Sequence, residues 1–346
     1  MKQRGFRYCS TCSNKLQKRG LTAAGTQRWY CPKCARSSCR SRPDLERKLL
    51  LEHFVRWLLG KESQAEIAER RGEDARTWRR KIDWCWNIIP PRLLGATMPS
   101  QPDIILMDGT RVAHLTSLIV RTLEGVLGWQ FSPWESSEEW KRLIYEIPAP
   151  KIVVVDGQKG VLRAISICWP ETKVQRCHFH AWMNVRSKLT LHPKTQAGVE
   201  LLTIARTLLR GVTTLKQRDE WIQQLYAFGE RYDKVLKERT YGSINPFGCR
   251  RWWYTHRNLR SAYRQLVKLV EDKQLFTYLE IVVTDMDTGE PVAIPRTTNH
   301  VEGGINSRLR DLMKLHRGLP IERQIRLVDW YLHTRKPKQK PPRFVL

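Results

Sequence analysis

Two short, uninterrupted apolar runs stand out in the middle of the chain, and each is followed by an aspartate. Ile104–Met107 precedes Asp108, and Ile152–Val155 precedes Asp156. Continuous β-branched and aliphatic runs of this length are typical of strands buried on both faces of a sheet. The surrounding pattern predicts further strands over 112–123, 126–131 and 173–176, a helix from Ser136 to Ile147, and a helix through 162–167 that ends before Pro170.

The predicted order of these elements is strand, strand, strand, helix, strand, helix, strand, which is that of an RNase H-like sheet. In such a sheet the first and fourth strands are neighbours. We therefore expect Asp108 and Asp156 to meet at the carboxyl edge of the sheet, although 47 residues separate them. Glu302, on a later predicted helix, would complete a group of three carboxylates.

Each aspartate precedes a glycine, and taken alone it is as readily a turn former as a metal ligand. Both of them in this element order, together with Glu302, favour a metal site. Two divalent ions about 4 Å apart can activate an attacking oxygen and stabilise a leaving one, and carboxylates are their preferred ligands. The pattern predicts a catalytic site of Asp108, Asp156 and Glu302 that binds two hard divalent cations.

The charge balance points to a polyanionic partner. The chain has 61 Lys and Arg against 34 Asp and Glu, a formal charge of +27 and a pI of about 10.1. This excess favours double-stranded DNA over a lipid surface. No run of about 20 apolar residues occurs, and no apolar segment follows Met1–Gly5, so we expect a protein that is neither secreted nor membrane-bound.

Four of the nine cysteines form two pairs near the amino terminus. Cys9 and Cys12 are followed, after eighteen residues, by Cys31 and Cys34, which is the spacing of a zinc ribbon. A closed site of four sulfurs leaves no position for substrate, so the predicted zinc is structural. The alternative is a set of unrelated reduced cysteines. Cys39 is either a free thiol or a ligand that exchanges with Cys34.

Three short helices are predicted next. Asp44, Ser63 and Asp74 are the candidate caps, and the glycine of Arg71-Gly72-Glu73 allows a tight turn between the second and third helices. This pattern favours a helix-turn-helix, whose second helix would carry positive charge to DNA. A three-helix bundle used for dimerisation is the alternative. The predicted DNA-binding residues here are Arg76, Arg79, Arg80 and Lys81.

Long amphipathic patterns between Leu191 and Ile294 predict a helical insertion. Within it, cations and aromatics are interleaved, an arrangement that can hold a backbone while stacking on an unpaired base. Packing of Trp252 or Trp253 in a core is slightly favoured over stacking, whereas the arginines are expected to face DNA. The predicted DNA-binding residues of this part and of the later helix are Arg250, Arg251, Trp252, Arg257, Arg308 and Arg310.

These motifs together resemble a known family. The residues concerned are Asp108-Gly109-Thr110, Asp156-Gly157 with Gly160, Gln175–His180 with Asn184, Asn299-x2-Glu302 with Asn306, and His316-Arg317-Gly318. Over about residues 100–330 the chain is similar to the IS256/Mutator-type DDE transposases, and more narrowly to the IS1249-like branch with an amino-terminal zinc ribbon.

The resemblance implies that the three acids bind Mg²⁺ or Mn²⁺ and that the insertion contributes to binding of DNA ends. It also places Cys177 and His180 in a C/D-x2-H signature. We expect these two residues to brace the core near the metals. Half of a zinc site, or His180 as a general base, are the alternatives.

We therefore predict a multidomain α/β protein with an RNase H-like core that an all-helical insertion interrupts. The predicted domains are a zinc ribbon (1–40), a helix-turn-helix (44–89), the first part of the core (100–190), the insertion (191–296), the second part of the core (297–333) and a basic tail (334–346).

The predicted function is that of a transposase that binds terminal inverted repeats, cleaves DNA and joins the ends to a target. We expect it to act as a homodimer in the cytoplasm of a prokaryote, associated with the nucleoid. A non-catalytic DNA-binding regulator derived from a transposase, or an RNase H-like nuclease without strand transfer, are the alternatives.

Overall fold

The computed structural model describes residues 8–9, 11–23, 25–39, 43–92, 101–244, 250–285 and 288–337, without the side chains of residues 43–45, 244, 250, 300 and 302. The chain divides into two compact units, Met1–Ile89 (unit 1) and Pro90–Leu346 (unit 2). No helix in these ranges is long and apolar enough to cross a membrane. Of the predicted basic tail, residues 338–346 lie outside the described residues.

Unit 1 contains a small antiparallel sheet followed by three helices. The strands, in the order β1-β2-β3, are β1 Gln17–Leu21, β2 Gln27–Cys31 and β3 Arg36–Cys39. The helices are α1 Pro43–Leu59, α2 Gln64–Arg70 and α3 Ala75–Ile82, with a 3₁₀ turn over Asp83–Asn87.

The helix caps of unit 1 follow the sequence closely. Ser63 caps α2 in a capping box with Glu66, and Asp74 caps α3 by accepting from the backbone of Arg76 and Thr77, as predicted. The prediction for Asp44 was wrong, because α1 already begins at Pro43, which places Asp44 inside the helix. Proline is favoured in the first helical turn, where its missing N–H is not needed.

Unit 2 is built on a five-stranded sheet of order β6-β5-β4-β7-β8. Its strands are β4 Ile104–Val112, β5 Leu115–Arg121, β6 Val126–Ser132, β7 Ile152–Val155 and β8 Lys173–Arg176. β6, β5 and β4 pair antiparallel, whereas β4, β7 and β8 pair parallel. The first and fourth strands of this unit, β4 and β7, are therefore neighbours, as predicted.

Both faces of the sheet are buried, which explains the unbroken apolar runs. On one face, Ile105 and Val153 pack with Trp140 of α4 (Ser137–Ile144) and Ala164 of α5 (Lys159–Cys168). On the other face, Ile104, Leu106, Ile152 and Val154 pack with residues from the carboxyl-terminal part of the chain, which are Val283, Ile294 and Val301. The sheet therefore draws distant segments of sequence onto β4 and β7.

The next part of unit 2 is mainly helical, and its helices share one apolar core. It comprises α6 His178–Leu189, α7 Gln196–Arg210, α8 Leu215–Arg231, α9 Asp233–Lys237, β9 Arg239–Ile244, β10 Arg250–Tyr254, α10 Arg257–Glu271, a 3₁₀ turn over Thr277–Leu279, β11 Val283–Thr284 and β12 Pro291–Val292. The prediction of an all-helical insertion was therefore wrong: β9 with β10 and β11 with β12 are antiparallel pairs. Aromatic and β-branched residues in β9 and β10 favour strands over helix.

The chain ends in three helical segments. They are α11 Asn299–Val301, which continues as a π turn over Glu302–Asn306 into α12 Ser307–Leu315, and then α13 Ile321–His333. The hydroxyl of Tyr331 on α13 donates to the carbonyls of Gly304 and Ile305 at 3.4 and 3.3 Å. α13 therefore supports the backbone of the π turn, in which i to i+5 bonding leaves carbonyls unevenly satisfied.

Candidate active site

Asp108 and Asp156 lie side by side at one edge of the sheet. Met107 on β4 pairs with Val155 on β7 in parallel register, so the two following residues are at the same level. The prediction that Asp108 ends its strand was wrong, because β4 continues to Val112 as an antiparallel partner of β5. At this level β4 stops pairing with β7, although it continues to pair with β5. The gap between β4 and β7 leaves room beside both aspartates.

A half-buried arginine lies next to Asp156. Gly157 turns the chain with φ of +88°, and a Cβ there would be 1.7 Å from Cζ of Arg176, so only glycine fits. The Arg176 guanidinium donates to the carbonyl oxygen of Asp156 at 3.0 Å, and its Nε is buried without a hydrogen-bond partner among the described residues. Burial lowers the pKa of Arg176, whereas the charge of Asp156 opposes this effect.

The helical segment that carries Glu302 reaches the same edge. Asn306, at the end of the π turn, donates from Nδ2 to Oδ2 of Asp108 at 2.8 Å. Both side chains are buried, with 6% and 7% of their surfaces exposed. Oδ1 of Asn306 is buried with no hydrogen-bond partner in the described part of the chain. The segment that contains Glu302 is therefore in contact with Asp108. The side chain of Glu302 is not among the described side chains.

Cys177 helps to position that segment. Its Sγ accepts hydrogen bonds from the backbone N–H and the hydroxyl of Thr298, at 3.3 and 3.4 Å, immediately before α11. The backbone N–H of His178 donates to the carbonyl of Arg296 at 2.9 Å. These bonds join the end of β8 to the segment that leads to Glu302. His180 lies in the first turn of α6, where its ring is 5.9 Å from that of Phe179.

A further carboxylate was missed in the sequence, and it lies against the backbone of Gly109, the residue after Asp108. Glu135 precedes Ser136, the cap of α4. A Cβ on Gly109, the residue after Asp108, would be 2.6 Å from Oε1 of Glu135. Burial raises the pKa of the Glu135 carboxyl, and the charge of Asp156 raises it further. A glutamate before a helix cap carries no local signal, because its neighbours in space are contributed by other strands.

Among the described side chains, one group of three or more possible ligands has all of its ligand atoms within 4.8 Å of one another. That group is Cys9, Cys12, Cys31 and Cys34, and it could hold a metal ion. Cys39, which pairs with Arg28 at the end of β3, is outside it. The carboxylates near Asp108 do not form so tight a group among the side chains described.

The electrostatics of the four thiols are those of an ion site. The backbone N–H groups of Thr11 and Cys12 lower the pKa of Cys9 to about 6, whereas a hydrogen bond with Cys12 and burial raise the pKa of Cys34 to about 12. Sγ of Cys12 is 3.5 Å from Sγ of Cys31. A divalent cation would allow all four sulfurs to bind as thiolates, since metal ligation favours the deprotonated form.

The predicted DNA-binding residues lie on several surfaces. In unit 1, the four residues predicted on α3 are all exposed, and one of them forms an ion pair with Glu73. They are Arg76, Arg79, Arg80 and the ion-paired Lys81. On α12, Arg310 is exposed and Arg308 is half-buried. Arg257 is exposed at the start of α10, and Arg251 is exposed on β10, whereas the side chain of Arg250 is not described.

The slight preference for a packed tryptophan pair was wrong. Trp252 and Trp253 are 44% and 46% exposed, because a two-stranded ribbon offers no second layer to cover them. The guanidinium of Arg239 lies 4.2 Å from the ring centre of Trp252, and that of Arg260 lies 4.0 Å from the ring centre of Tyr254. Trp252 and Tyr254 are on one face of the ribbon and Trp253 is on the other, because side chains alternate along a strand.

Comparison with known proteins agrees with the resemblance in the motifs. A family model described as "Transposase, Mutator family" matches residues 121–241. The chain is 28% identical over 113 residues to the transposase for insertion sequence element IS6120 of Mycolicibacterium smegmatis, over 31% of this chain and 33% of that protein. It is 35% identical over 71 residues to the transposase for insertion sequence element IS905 of Lactococcus lactis, over 19% of this chain and 18% of that protein.

The matched segments span a third or less of the length of these relatives. The narrower IS1249-like branch stays a prediction. The family model and both relatives support a resemblance of this chain to transposases of the Mutator/IS256 type.

Proposed function

We propose that this chain is a DDE transposase, which cleaves phosphodiester bonds at the ends of an insertion element and joins those ends to target DNA. One observation carries the proposal. Asp108 and Asp156 lie in parallel register at one sheet edge, and the segment that contains Glu302 contacts Asp108 through Asn306. The strand order and this edge support an RNase H-like core.

The residues at the edge suit hard divalent cations such as Mg²⁺ or Mn²⁺. Their donors are oxygens, and the buried Oδ1 of Asn306 has no hydrogen-bond partner among the described residues. Asp108, Asp156 and Glu302 would hold two such ions. When bound, the ions would supply charge stabilisation and an activated oxygen nucleophile for in-line displacement at phosphorus.

The reaction would take place in two displacements at the same site. In the first, a water oxygen bonds to phosphorus at the element end, its proton leaves to solvent, and the bond to the 3′-oxygen breaks. In the second, this 3′-hydroxyl bonds to a target phosphorus and displaces the target's own 3′-oxygen. The protein forms no covalent intermediate. Burial of Asp108 and the contact with Asn306 keep its carboxylate in one orientation.

Several basic surfaces support the binding of DNA. The exposed cations of α3 suit a helix-turn-helix that recognises the terminal repeats, with zinc at the four cysteines holding the neighbouring ribbon. A cleft of about 450 Å³ is lined by Arg121 and Arg335, together with Glu124, Gly125, Asn299, Gly304 and Ile305. A phosphate backbone in this cleft would pass beside the π turn. Because two ends must be joined, we propose a homodimer or larger assembly.

The test is strand-resolved mapping of breaks in a candidate element end with Mg²⁺. Asp108→Asn, Asp156→Asn or Glu302→Gln should each remove several kcal/mol of transition-state stabilisation and lower the cleavage rate about 1000-fold or more. Binding of the same DNA should change by less than about twofold, since phosphate contacts carry most of the affinity.

Asp103→Asn is the matched control. Asp103 immediately precedes β4, is five residues before Asp108, and forms an ion pair with Lys151 at 2.8 Å. Its loss should leave cleavage unchanged. Unaltered cleavage by one of the other three variants would remove that residue from the site. Cleavage without joining would indicate a nuclease, and binding without cleavage by the wild type would indicate a regulator.

A further inference from the structure

We propose that Glu135 is a fourth carboxylate ligand of the divalent ions, binding directly or through one metal-bound water. This inference rests on the proposed function and adds a residue that the three-acid motif does not contain. Its position carries the argument: Glu135 approaches Gly109, the residue after Asp108, and is close enough to Asp156 for the two charges to interact.

The approach depends on the absence of a side chain at residue 109. Because a Cβ there would be 2.6 Å from Oε1 and 2.9 Å from Cδ of Glu135, the carboxylate occupies the volume that any other residue would fill. Glycine next to Asp108 therefore lets a carboxylate from the β6–α4 connection reach the surface of β4. Asp108, one residue earlier on β4, points to the other face of the sheet, so the two carboxylates approach each other beside β4, where its pairing with β7 ends after Met107 and Asp156 follows Val155.

The charge environment of Glu135 differs from that of the next acids in the chain. Glu138 and Glu139, in the first turn of α4, form ion pairs with Lys141 and Arg142 at 2.7 and 2.8 Å. Glu135 forms no ion pair with any lysine or arginine of the described residues, in a chain of net charge +27. Hydrogen bonding with Gln158 and Trp140 offsets part of the cost of burying Glu135, and a cation near both Glu135 and Asp156 would remove their repulsion. A bound metal ion would be that cation.

An independent observation points to a ligand at Asp108. Asn306 is 94% buried and donates to Asp108, but its amide oxygen has no hydrogen-bond partner among the described residues. A buried amide oxygen without a donor is uncommon, because its desolvation is not repaid. A metal ion or its bound water would satisfy this oxygen. The site would then offer oxygen donors from four separate segments of unit 2.

The test is calorimetric titration of the full-length chain with Mn²⁺ in the absence of DNA. Glu135→Gln should weaken Mn²⁺ binding about 10-fold or more, the usual order of loss when a group that supports a metal is removed. In metal-free protein the same variant should melt at a higher temperature than the wild type, because it removes like-charge repulsion with Asp156. Glu138→Gln, which removes an exposed carboxylate one turn away, should do neither.

Gly109→Ala is a second variant that keeps the Glu135 carboxylate but displaces it. It should weaken Mn²⁺ binding in the same direction as Glu135→Gln, with circular dichroism showing a folded chain. If both variants bind Mn²⁺ within twofold of the wild type while Asp108→Asn does not, Glu135 is not a ligand and the proposed function stands. If Asp108→Asn also binds Mn²⁺ normally, the proposed metal site itself is refuted.

Discussion

Buried carboxylates have two different roles in unit 2. Asp329 on α13 is completely buried, and its oxygens accept from Arg92, Trp129 and Arg326 at 2.8–3.3 Å. Its charge is therefore compensated within the chain. Glu135, by contrast, has no cation of the described residues beside it. The first environment is that of a structural charge, and the second is that of a residue which binds an ion from outside.

This difference predicts opposite effects on stability. Asp329→Ala should lower the free energy of unfolding by about 3 kcal/mol, because Arg92, Arg326 and Trp129 lose their shared acceptor. The value is at the low end for a broken buried pair because the Arg92 side chain is 39% exposed and can be hydrated. Urea unfolding of Asp329→Ala would measure this loss of stability. Glu322→Ala, which removes an exposed acid on the same helix, is the control. An equal midpoint for both variants would contradict the structural role.

The sequence was informative about residues whose signal is local. Asp108 and Asp156 were predicted because each follows an apolar run, and the caps Ser63 and Asp74 because side chains there bond to the next turn. Contacts between distant segments left no such signal. Thr298 meets Cys177 across 121 residues, and Asn306 meets Asp108 across 198. Such pairs are set by how the sheet and helices pack.

At the scale of elements, the β9–β10 ribbon is the main departure from expectation. Its residues suit either an amphipathic helix or a strand, and a short apolar or aromatic segment does not distinguish them by period alone. The ribbon exposes an aromatic and cationic face on which Arg239 and Trp252 lie 4.2 Å apart. Such a face can stack on a base while neutralising a phosphate.

We therefore expect Trp252→Ala to weaken binding of an element end with unpaired terminal bases by about 1–3 kcal/mol, the usual contribution of one stacked base. Binding of a fully paired duplex of the same sequence should change much less. Fluorescence anisotropy with both DNAs would measure the difference. Tyr145→Ala, which removes an 82% exposed aromatic residue at the end of α4, is the control. Equal losses on both DNAs would rule out stacking by Trp252.

At the scale of the whole molecule, the boundary between the units falls between Ile89 and Pro90, immediately before the proline pair Pro90-Pro91. Neighbouring prolines neither continue a helix nor pair as strands, so the sequence already marks a connection there. The finer division of each unit into domains is a prediction. It rests on periodicity, which does not show how much of each helix packs on the sheet.

The division into units predicts that loss of zinc has a local effect. Cys12→Ser should reduce bound zinc from about one ion per chain to near zero, because a closed four-ligand site needs every sulfur. Hydrogen exchange should then increase over β1–β3 and stay unchanged over β4–β8. Atomic emission and exchange mass spectrometry of the full chain would measure both. Cys39→Ser, an exposed thiol outside the group, should keep its zinc, and a wild type without zinc would refute the ribbon.

The π turn over Glu302–Asn306 has a consequence for insertions and deletions in this region. A π turn accommodates one more residue than an α turn, so the helix holds a residue that regular winding would not need. Removing either Gly303 or Gly304 would permit ordinary winding but rotate position 302 by about 100° relative to α12. The number of residues in this segment therefore matters more than their identity. A shorter and more regular helix would change the direction of residue 302 relative to α12.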